Sequence, residues 1–281
     1  MIIKNQIITP SHGKSLLLDV HGNETGKRKP VIIFSHGFKG FKDWGHWGLI
    51  GEYFANQGFV FIKYNFSHNG TTLENPFDFD DLESFGENNF SKELEDLDAV
   101  LNWVEQSDNP NFDRENITLI GHSRGGATSI IKSATDKRVK QLISWASVAE
   151  VDYAWKKTSF IDTWKKNGVI YVRNGRTKQD MPLKYQLYQD FILNKNKFDI
   201  RRLAIDFKKP FLIIHGNNDP AVSISAAENL NKIFQSSELE LISDANHVFN
   251  GFHPYNLTTL PLETEKMLEL CVTFLQKNGP T

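Results

Sequence analysis

Six short apolar runs recur along the chain, separated by polar segments and by segments with helical periodicity. Each run is continuously apolar, without strict alternation, which is typical of strands that are covered on both faces. When helices connect such strands, they form a mostly parallel sheet with right-handed crossovers. The runs are VIIFSHG (31–37), FVFIKYNF (59–66), ITLIG (117–121), QLISWAS (141–147), FLIIHG (211–216) and LELIS (239–243).

Two further strands are predicted near the amino terminus, over residues 2–8 and 15–20, which brings the predicted central sheet to eight strands. Amphipathic helices are predicted over residues 91–106 and 262–276, and Ser91 is the expected N-cap of the first. The predicted fold class is therefore α/β, with a central, mostly parallel, eight-stranded sheet flanked by helices.

Residues 151–207 break the alternation of strand and helix and are rich in aromatic side chains. Within them, Asn174-Gly175 predicts a type I′ hairpin turn, and residues 182–193 have a helical pattern. The segment is too short to build a second independent core. We therefore expect one domain over residues 1–281, with residues 151–207 as a small insert, or cap, between the sixth and seventh strands.

The charge balance of the chain argues against several classes of partner. Its 281 residues include 32 basic and 34 acidic side chains, which gives a net charge of −2. A nucleic-acid surface or a polybasic membrane patch is therefore not expected. No run approaches the roughly 18 apolar residues of a membrane span, and no signal peptide is visible. The single cysteine, Cys271, cannot form an internal disulfide, so a cytoplasmic protein is expected.

The sequence contains no glycine motif for nucleotide binding and no histidine pair with metal-ligand spacing. We therefore predict no cofactor and no metal. The expected partner is a small-molecule substrate, and the sequence leaves the oligomeric state open.

Side chains suited to acyl transfer follow several of the predicted strands. In open α/β sheets, ligands bind beyond the carboxyl ends of the strands. Ser123 lies in GHSRGG (121–126), between an apolar strand and a helix-like segment. In that setting the G-x-S-x-G pattern predicts a nucleophilic serine on a tight turn. The alternative is a serine that only caps the following helix.

A nucleophilic serine needs a base, and the base needs an orienting acid. His247 follows the last predicted strand, and imidazole is a suitable base because its pKa lies near neutral pH. Asp219 follows the preceding strand and would accept the imidazole N–H. His253 is the nearest competitor for the base. Asp244 is the rival acid, although it lies very close to His247 in sequence.

The reaction also needs donors for the developing oxyanion. One is predicted to be the backbone N–H of Arg124, directly after Ser123 at the start of a helix. The second is predicted to be the backbone N–H of Phe38, in the sequence HGF. His36 is expected to hold this loop in place instead of acting as a base. The side chain of Arg124 is expected to form a structural salt bridge in preference to a substrate contact.

The order Ser123, Asp219, His247 along the chain is the signature of one fold. On these residues the sequence resembles the α/β-hydrolase superfamily over nearly its whole length. HGF near the start, GHSRGG in the middle and the aromatic insert before Asp219 look like the feruloyl-esterase and dienelactone-hydrolase-like serine hydrolases. Dienelactone hydrolases proper use a cysteine nucleophile. Because this chain has a serine at that position, a dienelactone substrate is not expected.

The predicted reaction is hydrolysis of a carboxylic ester through a covalent acyl-enzyme. A thioesterase, an acyltransferase or a peptidase with the same three residues is the alternative. The insert is expected to cover the site, and its aromatic side chains favour an aryl ester or a short or medium acyl ester. The predicted substrate-binding residues are Trp155, Trp164, Tyr185 and Tyr188.

Overall fold

The computed structural model describes residues 1–24, 26–152, 155 and 157–279. Within these ranges, eight strands form a central sheet and two form a separate hairpin. The strands are β1 (Ile2–Ile8), β2 (Leu16–His21), β3 (Lys29–Ser35), β4 (Val60–Tyr64), β5 (Phe112–His122), β6 (Val139–Trp145), β7 (Val169–Arg173), β8 (Asp180–Lys184), β9 (Phe211–Gly216) and β10 (Ser237–Ile242).

The central sheet has the strand order β1-β2-β4-β3-β5-β6-β9-β10. The pairings of β2 with β1 and with β4 are antiparallel, and all pairings from β4 onwards are parallel. The predicted α/β class with a mostly parallel, eight-stranded sheet is therefore confirmed. Because parallel strands end at the same edge, the loops after β3, β5, β9 and β10 come together there.

Helices pack on both faces of this sheet, and no helix of the described ranges is both long enough and apolar enough to cross a membrane. They are α1 (Trp47–Asn56), α2 (Leu82–Gly86), α3 (Phe90–Gln106), α4 (Arg124–Thr135), α5 (Thr158–Asn167), α6 (Gln186–Leu193), α7 (Lys195–Phe198), α8 (Ile200–Ala204), α9 (Ile224–Ile233) and α10 (Leu262–Lys277).

The start of α3 differs from the sequence prediction. Asn89, not Ser91, is the N-cap, and its side-chain oxygen accepts the N–H of Lys92 at 2.9 Å. Ser91 lies inside the first turn, where its N–H and its hydroxyl both donate to Asp190 of α6. Both residue types cap helices well. The tertiary contact with Asp190 therefore decides which of them does so here.

A hydrophobic cluster covers each face of the sheet, one beneath α3 and α4 and the other beneath α1 and α10. Cys271 of α10 is fully buried in the second cluster, and its sulfur accepts the indole N–H of Trp145 at 3.4 Å. Burial raises the pKa of the Cys271 thiol to about 12. The cysteine therefore acts as a small packing residue.

The segment between β6 and β9, the sixth and seventh strands of the central sheet, holds α5, the β7–β8 hairpin and α6 to α8. Residues 174–179, the hairpin loop, connect β7 to β8. This corrects the predicted two-residue type I′ turn at Asn174-Gly175, which would need a positive φ at both residues. Neither has one. The side chain of Asn174 instead accepts the N–H of Arg176 at 3.0 Å and closes a longer loop.

Four charged side chains, three of them buried, form an ion cluster beside the sheet. Asp19 of β2 accepts from Lys42 at 2.9 Å and from Lys63 of β4 at 2.7 Å, and Asp43 contacts the same two ammonium groups. Burial alone would raise the pKa of Asp19, but the two lysines lower it to about 2. The ion cluster ties the segment that contains Lys42 and Asp43 to the sheet.

Replacing Asp19 with asparagine would leave two buried ammonium groups beside one carboxylate. Breaking a buried pair in this way typically costs about 3–5 kcal/mol, and Asp19→Asn is expected to lower the free energy of unfolding by about that amount at neutral pH. Urea unfolding followed by tryptophan fluorescence measures the change. Glu238→Gln, which removes an exposed ion pair with Lys277, is the control and should cost less than about 1 kcal/mol.

The pH dependence of this effect has a defined sign. Because the pKa of Asp19 is lower in the folded protein than its ordinary value of 3.8, its contribution is complete above that value and is lost as the pH falls through about 2. The gap in stability between wild type and Asp19→Asn should therefore be constant near neutral pH and narrow in strong acid. A gap that widens in acid would contradict this account of the ion cluster.

Candidate active site

Ser123 lies on the turn between β5 and α4, at the carboxyl edge of the sheet. Its φ is 56° and its ψ is −120°, a conformation that the surrounding structure must hold in place. Its N–H donates to the carbonyl of Trp145 in β6 at 2.9 Å. The Ser123 hydroxyl makes no capping hydrogen bond to α4, which argues against the helix-cap alternative. The turn has the geometry of a nucleophile elbow.

Two glycines allow the close packing around this turn. A Cβ at Gly121 would lie 2.3 Å from the carbonyl oxygen of Gly125, and a Cβ at Gly125 would lie 2.3 Å from the carbonyl oxygen of His36. Any side chain at either position would overlap with backbone atoms, so only glycine fits. The turn is therefore packed between its own helix and the loop that follows β3.

Asp219 and His247, on the loops after β9 and β10, form a direct hydrogen bond. Nδ1 of His247 donates to Oδ2 of Asp219 at 2.7 Å, which leaves Nε2 as the unprotonated nitrogen of a neutral ring. Oδ1 accepts the N–H groups of Ala221 and Val222 at 2.7 and 2.9 Å. Burial would raise the pKa of Asp219, but these hydrogen bonds, first of all the one from His247, lower it. Asp219 is therefore an ionised acceptor.

The two rival residues have other surroundings. The ring of His253 accepts the N–H of Gly45 at 2.9 Å. Asp244 is exposed, and its N–H donates to the side chain of Asn217 at 2.8 Å. Neither side chain lines the cleft at Ser123. The structure therefore gives no support to either rival.

His122, directly before Ser123, is a site residue that the sequence analysis did not single out. Its Nε2–H donates to the carbonyl oxygen of His247 at 2.8 Å, and the two ring centres are 4.7 Å apart. Burial, and after it the neighbouring His247, lower the pKa of His122 to about 3, so its ring is neutral near pH 7. His122 therefore helps to position the loop that carries His247 without adding a charge.

The HGF loop, residues 36–40 after β3, packs directly against Ser123. A Cβ at Gly37 would lie 2.9 Å from the Cβ of Ser123. His36 donates from Nδ1 to the carbonyl of Gly37 at 2.9 Å and accepts the N–H of Phe66 at Nε2 at 3.2 Å. Burial lowers the pKa of His36 to about 4, so a neutral ring holds the loop.

The backbone N–H groups of Phe38 and Arg124, which flank the Ser123 turn, have no acceptor among the described residues. They are therefore free to bind a ligand oxygen. The side chain of Arg124 forms an ion pair with Glu93 at 2.8 Å, without the alignment of a hydrogen bond, and lies 4.2 Å from the ring centre of Phe90. This is the kind of structural salt bridge that the sequence favoured for Arg124.

A cleft of about 200 Å³, the Ser123 cleft, is lined by both Ser123 and His247. Its walls also include the HGF loop, the indole rings of Trp44 and Trp47, and the hairpin loop. No hydrogen bond joins Ser123 to His247 in the described structure, as is common before substrate binds. Within the described ranges, no three His, Cys, Asp or Glu side chains converge as a metal site.

The four aromatic residues predicted to bind substrate are not among those that line the Ser123 cleft. Trp155, Trp164, Tyr185 and Tyr188 contact one another within the insert, with ring centres 5.5 to 6.3 Å apart. Trp155 and Tyr188 also line a separate cavity of about 460 Å³. A segment this small needs large side chains for its own core. The Ser123 cleft therefore gives no support to their role as substrate-binding residues, and the polar hairpin loop reaches the cleft instead.

The sheet topology, the turn at Ser123 and the Asp219–His247 pair define the class of this protein as an α/β-hydrolase. A profile of the BD-FAE family matches residues 18–234. The chain belongs to the BD-FAE family and is a carboxylic-ester hydrolase.

Individual relatives are consistent with this family. A Mycoplasma genitalium protein described as an esterase/lipase is 24% identical over 229 residues, covering 74% of this chain and 78% of that protein. The structure of ferulic acid bound to Est1E from Butyrivibrio proteoclasticus superposes with a TM-score of 0.72 at 19% identity and covers 97% of this chain and 98% of that chain. An esterase domain from Rhodothermus marinus has a TM-score of 0.67 at 15% identity, with coverages of 99% and 100%.

A methyl group added at Gly37 tests the close approach of the HGF loop to Ser123. Its Cβ would force the loop to shift, and the N–H of Phe38 would shift with it. Gly37→Ala is therefore expected to lower kcat for ester hydrolysis at least about tenfold. Gly48→Ala in α1, where a Cβ meets no atom within 4 Å, is the control and should keep the wild-type kcat. Equal kcat values for both variants would contradict the role given to the loop.

Proposed function

We propose that this esterase works through a Ser123–His247–Asp219 triad and a covalent acyl-enzyme. The 2.7 Å hydrogen bond from His247 to Asp219, beside the cleft that Ser123 also lines, is the observation that carries the proposal. Asp219 fixes the tautomer, so that Nε2 of His247 is the nitrogen able to accept the Ser123 proton. The strained turn of Ser123 supports the assignment, because its backbone already has the conformation of a presented nucleophile.

In the proposed reaction, Ser123 Oγ attacks the ester carbonyl carbon while His247 takes the hydroxyl proton. The tetrahedral oxyanion accepts hydrogen bonds from the backbone N–H groups of Phe38 and Arg124. His247 then gives its proton to the departing alkoxide, the C–O bond breaks, and an alcohol leaves. Water repeats the sequence on the acyl-enzyme, with His247 again as base, and releases the carboxylic acid.

The two oxyanion donors are supported by their lack of other partners. Each N–H without an acceptor is a donor already in place before substrate arrives. Such preorganised donors are effective because they do not need to reorient when the negative charge develops. The N–H of Arg124 also begins α4, where the helix dipole favours a negative charge.

The proposed substrates are aryl esters or esters of short or medium acyl chains. Phe38, Trp44 and Trp47 give the Ser123 cleft an aromatic wall, and its volume of about 200 Å³ suits one ring or a short chain. The bound ferulic acid of the Est1E structure indicates that the same fold holds an aromatic acid in that protein. Trp44 and Trp47 thus take the place of the insert aromatics in this proposal.

We also propose that residues 151–207 are a cap within one domain that spans residues 1–281. The buried apolar side chains of this segment belong to the same hydrophobic cluster as one face of the central sheet, which favours a single domain. Its hairpin loop delivers Asn174 and Arg176 to the Ser123 cleft, as a cap would.

A thioesterase, an acyltransferase or a peptidase could use the same three groups. The family assignment favours esters. Measuring turnover of a 4-nitrophenyl ester, the matching thioester and the matching anilide side by side separates these reactions. A preference for the thioester or the anilide would overturn the ester assignment.

The covalent step can be tested with a fluorophosphonate probe, which labels activated serines. Wild type is expected to be labelled at a single site, and Ser123→Ala should lose both labelling and ester hydrolysis. Ser129→Ala, which alters a buried serine of α4 away from the Ser123 cleft, is the matched control and should be labelled like wild type. Labelling of Ser123→Ala at the wild-type rate would rule out the proposed nucleophile.

The proposed role of Asp219 predicts that replacing its carboxylate with an amide of the same size lowers kcat strongly. Asp219→Asn would replace the carboxylate acceptor of His247 Nδ1–H with an amide that can also donate, which favours the wrong tautomer. We expect kcat to fall by about 10³–10⁴. Asp244→Asn, at the exposed rival residue, should leave kcat unchanged. Steady-state kinetics with one chromogenic ester measures kcat for both variants. A large loss of kcat in Asp244→Asn and none in Asp219→Asn would assign the acid role to Asp244.

A further inference from the structure

The Ser123 cleft contains two cations whose role the proposed chemistry does not explain. Lys39, directly after Phe38 in the HGF loop, and Arg176, in the hairpin loop, both line the cleft. The residues that line it include no aspartate and no glutamate. Two positive charges therefore face a cleft whose other lining residues are aromatic residues, histidines, glycines, a serine, an asparagine and a valine.

Lys39 has no carboxylate partner among the described residues. Its Nζ donates only to the carbonyl oxygen of Arg173, at 3.3 Å, and lies 5.5 Å from the ring centre of Phe38. Its backbone has a φ of 58°, so the residue is held in an unusual conformation next to the proposed oxyanion donor. Burial lowers the pKa of the Lys39 ammonium, as expected for a cation that is partly desolvated and not neutralised.

Arg176 is held over the cleft by the hairpin loop. Its N–H donates to the side chain of Asn174, which is itself buried and lines the cleft. The guanidinium lies 5.8 Å from the ring centre of Phe79, and its nearest carboxylate is the half-exposed Asp78 at 3.5 Å. That distance is longer than a charge-assisted hydrogen bond, so the guanidinium keeps donors free for a ligand.

Two carboxylates near the Ser123 turn, Asp219 and Glu93, already have other partners. Asp219 accepts from His247 and from two backbone N–H groups. Glu93 pairs with Arg124 and accepts the hydroxyl of Thr128 at 3.0 Å. Neither lines the cleft, and neither forms an ion pair with Lys39 or Arg176. Asp78, the ion-pair partner of Arg176 at 3.5 Å, does not line the cleft either.

We infer that the preferred substrates are esters that carry a carboxylate group, which Lys39 and Arg176 bind while the ester carbonyl lies at Ser123. This inference rests on the proposed function and specifies its substrate class. The anion would bind two cations on different elements, one from the HGF loop and one from the hairpin loop. Charge complementarity of this kind governs selectivity and the rate of association more than the chemical step.

The test compares two pairs of esters that differ in one charge. In the first pair, mono-4-nitrophenyl adipate carries a carboxylate on the acyl arm, and 4-nitrophenyl hexanoate carries a methyl group there. In the second pair, 4-carboxyphenyl hexanoate carries the carboxylate on the alcohol arm, and its methyl ester is neutral. The readout is the ratio of kcat/KM for the charged ester to that for the neutral ester, which cancels any loss common to both.

We expect this selectivity ratio to fall roughly five- to tenfold in Lys39→Met and in Arg176→Met, and further in the double variant, for at least one pair. The pair that responds identifies the arm that carries the carboxylate. Lys178→Met is the matched control, because Lys178 is a cation of the same hairpin loop that does not line the cleft. Its ratio should equal that of wild type.

A second measurement needs only the wild-type protein. Raising the ionic strength from about 0.02 M to about 0.5 M should lower the wild-type ratio for the responding pair, because salt screens partly exposed charges. A ratio that is the same in wild type and the double variant for both pairs, or that does not respond to salt, would overturn the inference. Ser123→Ala distinguishes a failure of this inference from a failure of the proposed function. Residual hydrolysis of all four esters in that variant would overturn the proposed function itself.

Discussion

The backbone conformation of Ser123 is the constraint on which the rest of the site depends. A φ of 56° is unfavourable for serine, and it persists because the contacts of the surrounding chain hold the backbone in this conformation. Gly121 and Gly125 let backbone atoms approach the turn at distances that no Cβ would allow, and Gly37 brings the HGF loop against the serine itself. Two segments that are distant in sequence, the Ser123 turn and the HGF loop, are thereby held together at one point. The loop with His247 reaches the same point through its hydrogen bond with His122.

Much of this arrangement could be predicted from the sequence. Continuous apolar runs identify buried parallel strands because such strands must exclude polar side chains from both faces. Their carboxyl ends then converge, so residues placed directly after them, Ser123, Asp219 and His247, are brought towards one edge whatever the loop details. The hydrogen bond between Asp219 and His247 fits this expectation, although they are 28 positions apart. The order of these three residues along the chain, Ser, Asp and then His, also matches that of the α/β-hydrolases.

The features that could not be predicted depend on tertiary contacts, which produce no recognisable pattern in the local sequence. Asn89 and Ser91 are both competent helix caps, and Asp190 decides between them. The aromatic residues of the insert were expected at the substrate because their own need for burial was not apparent from composition alone. Arg176 reaches the cleft because it lies in a six-residue loop. The Asn174-Gly175 pair is typical of a two-residue turn, so the sequence predicted a shorter connection. His122 could not be recognised either, because its partner is a backbone oxygen 125 positions away.

The burial of Cys271 has a practical consequence. Thiol reagents attack the thiolate, and a thiol whose pKa is raised to about 12 inside the second hydrophobic cluster supplies almost none of it at neutral pH. Since the chain has no other cysteine, we expect the folded protein to react only very slowly with maleimides. The rate at which Cys271 becomes modified then reports how often α10 separates from the sheet, without the introduction of any probe.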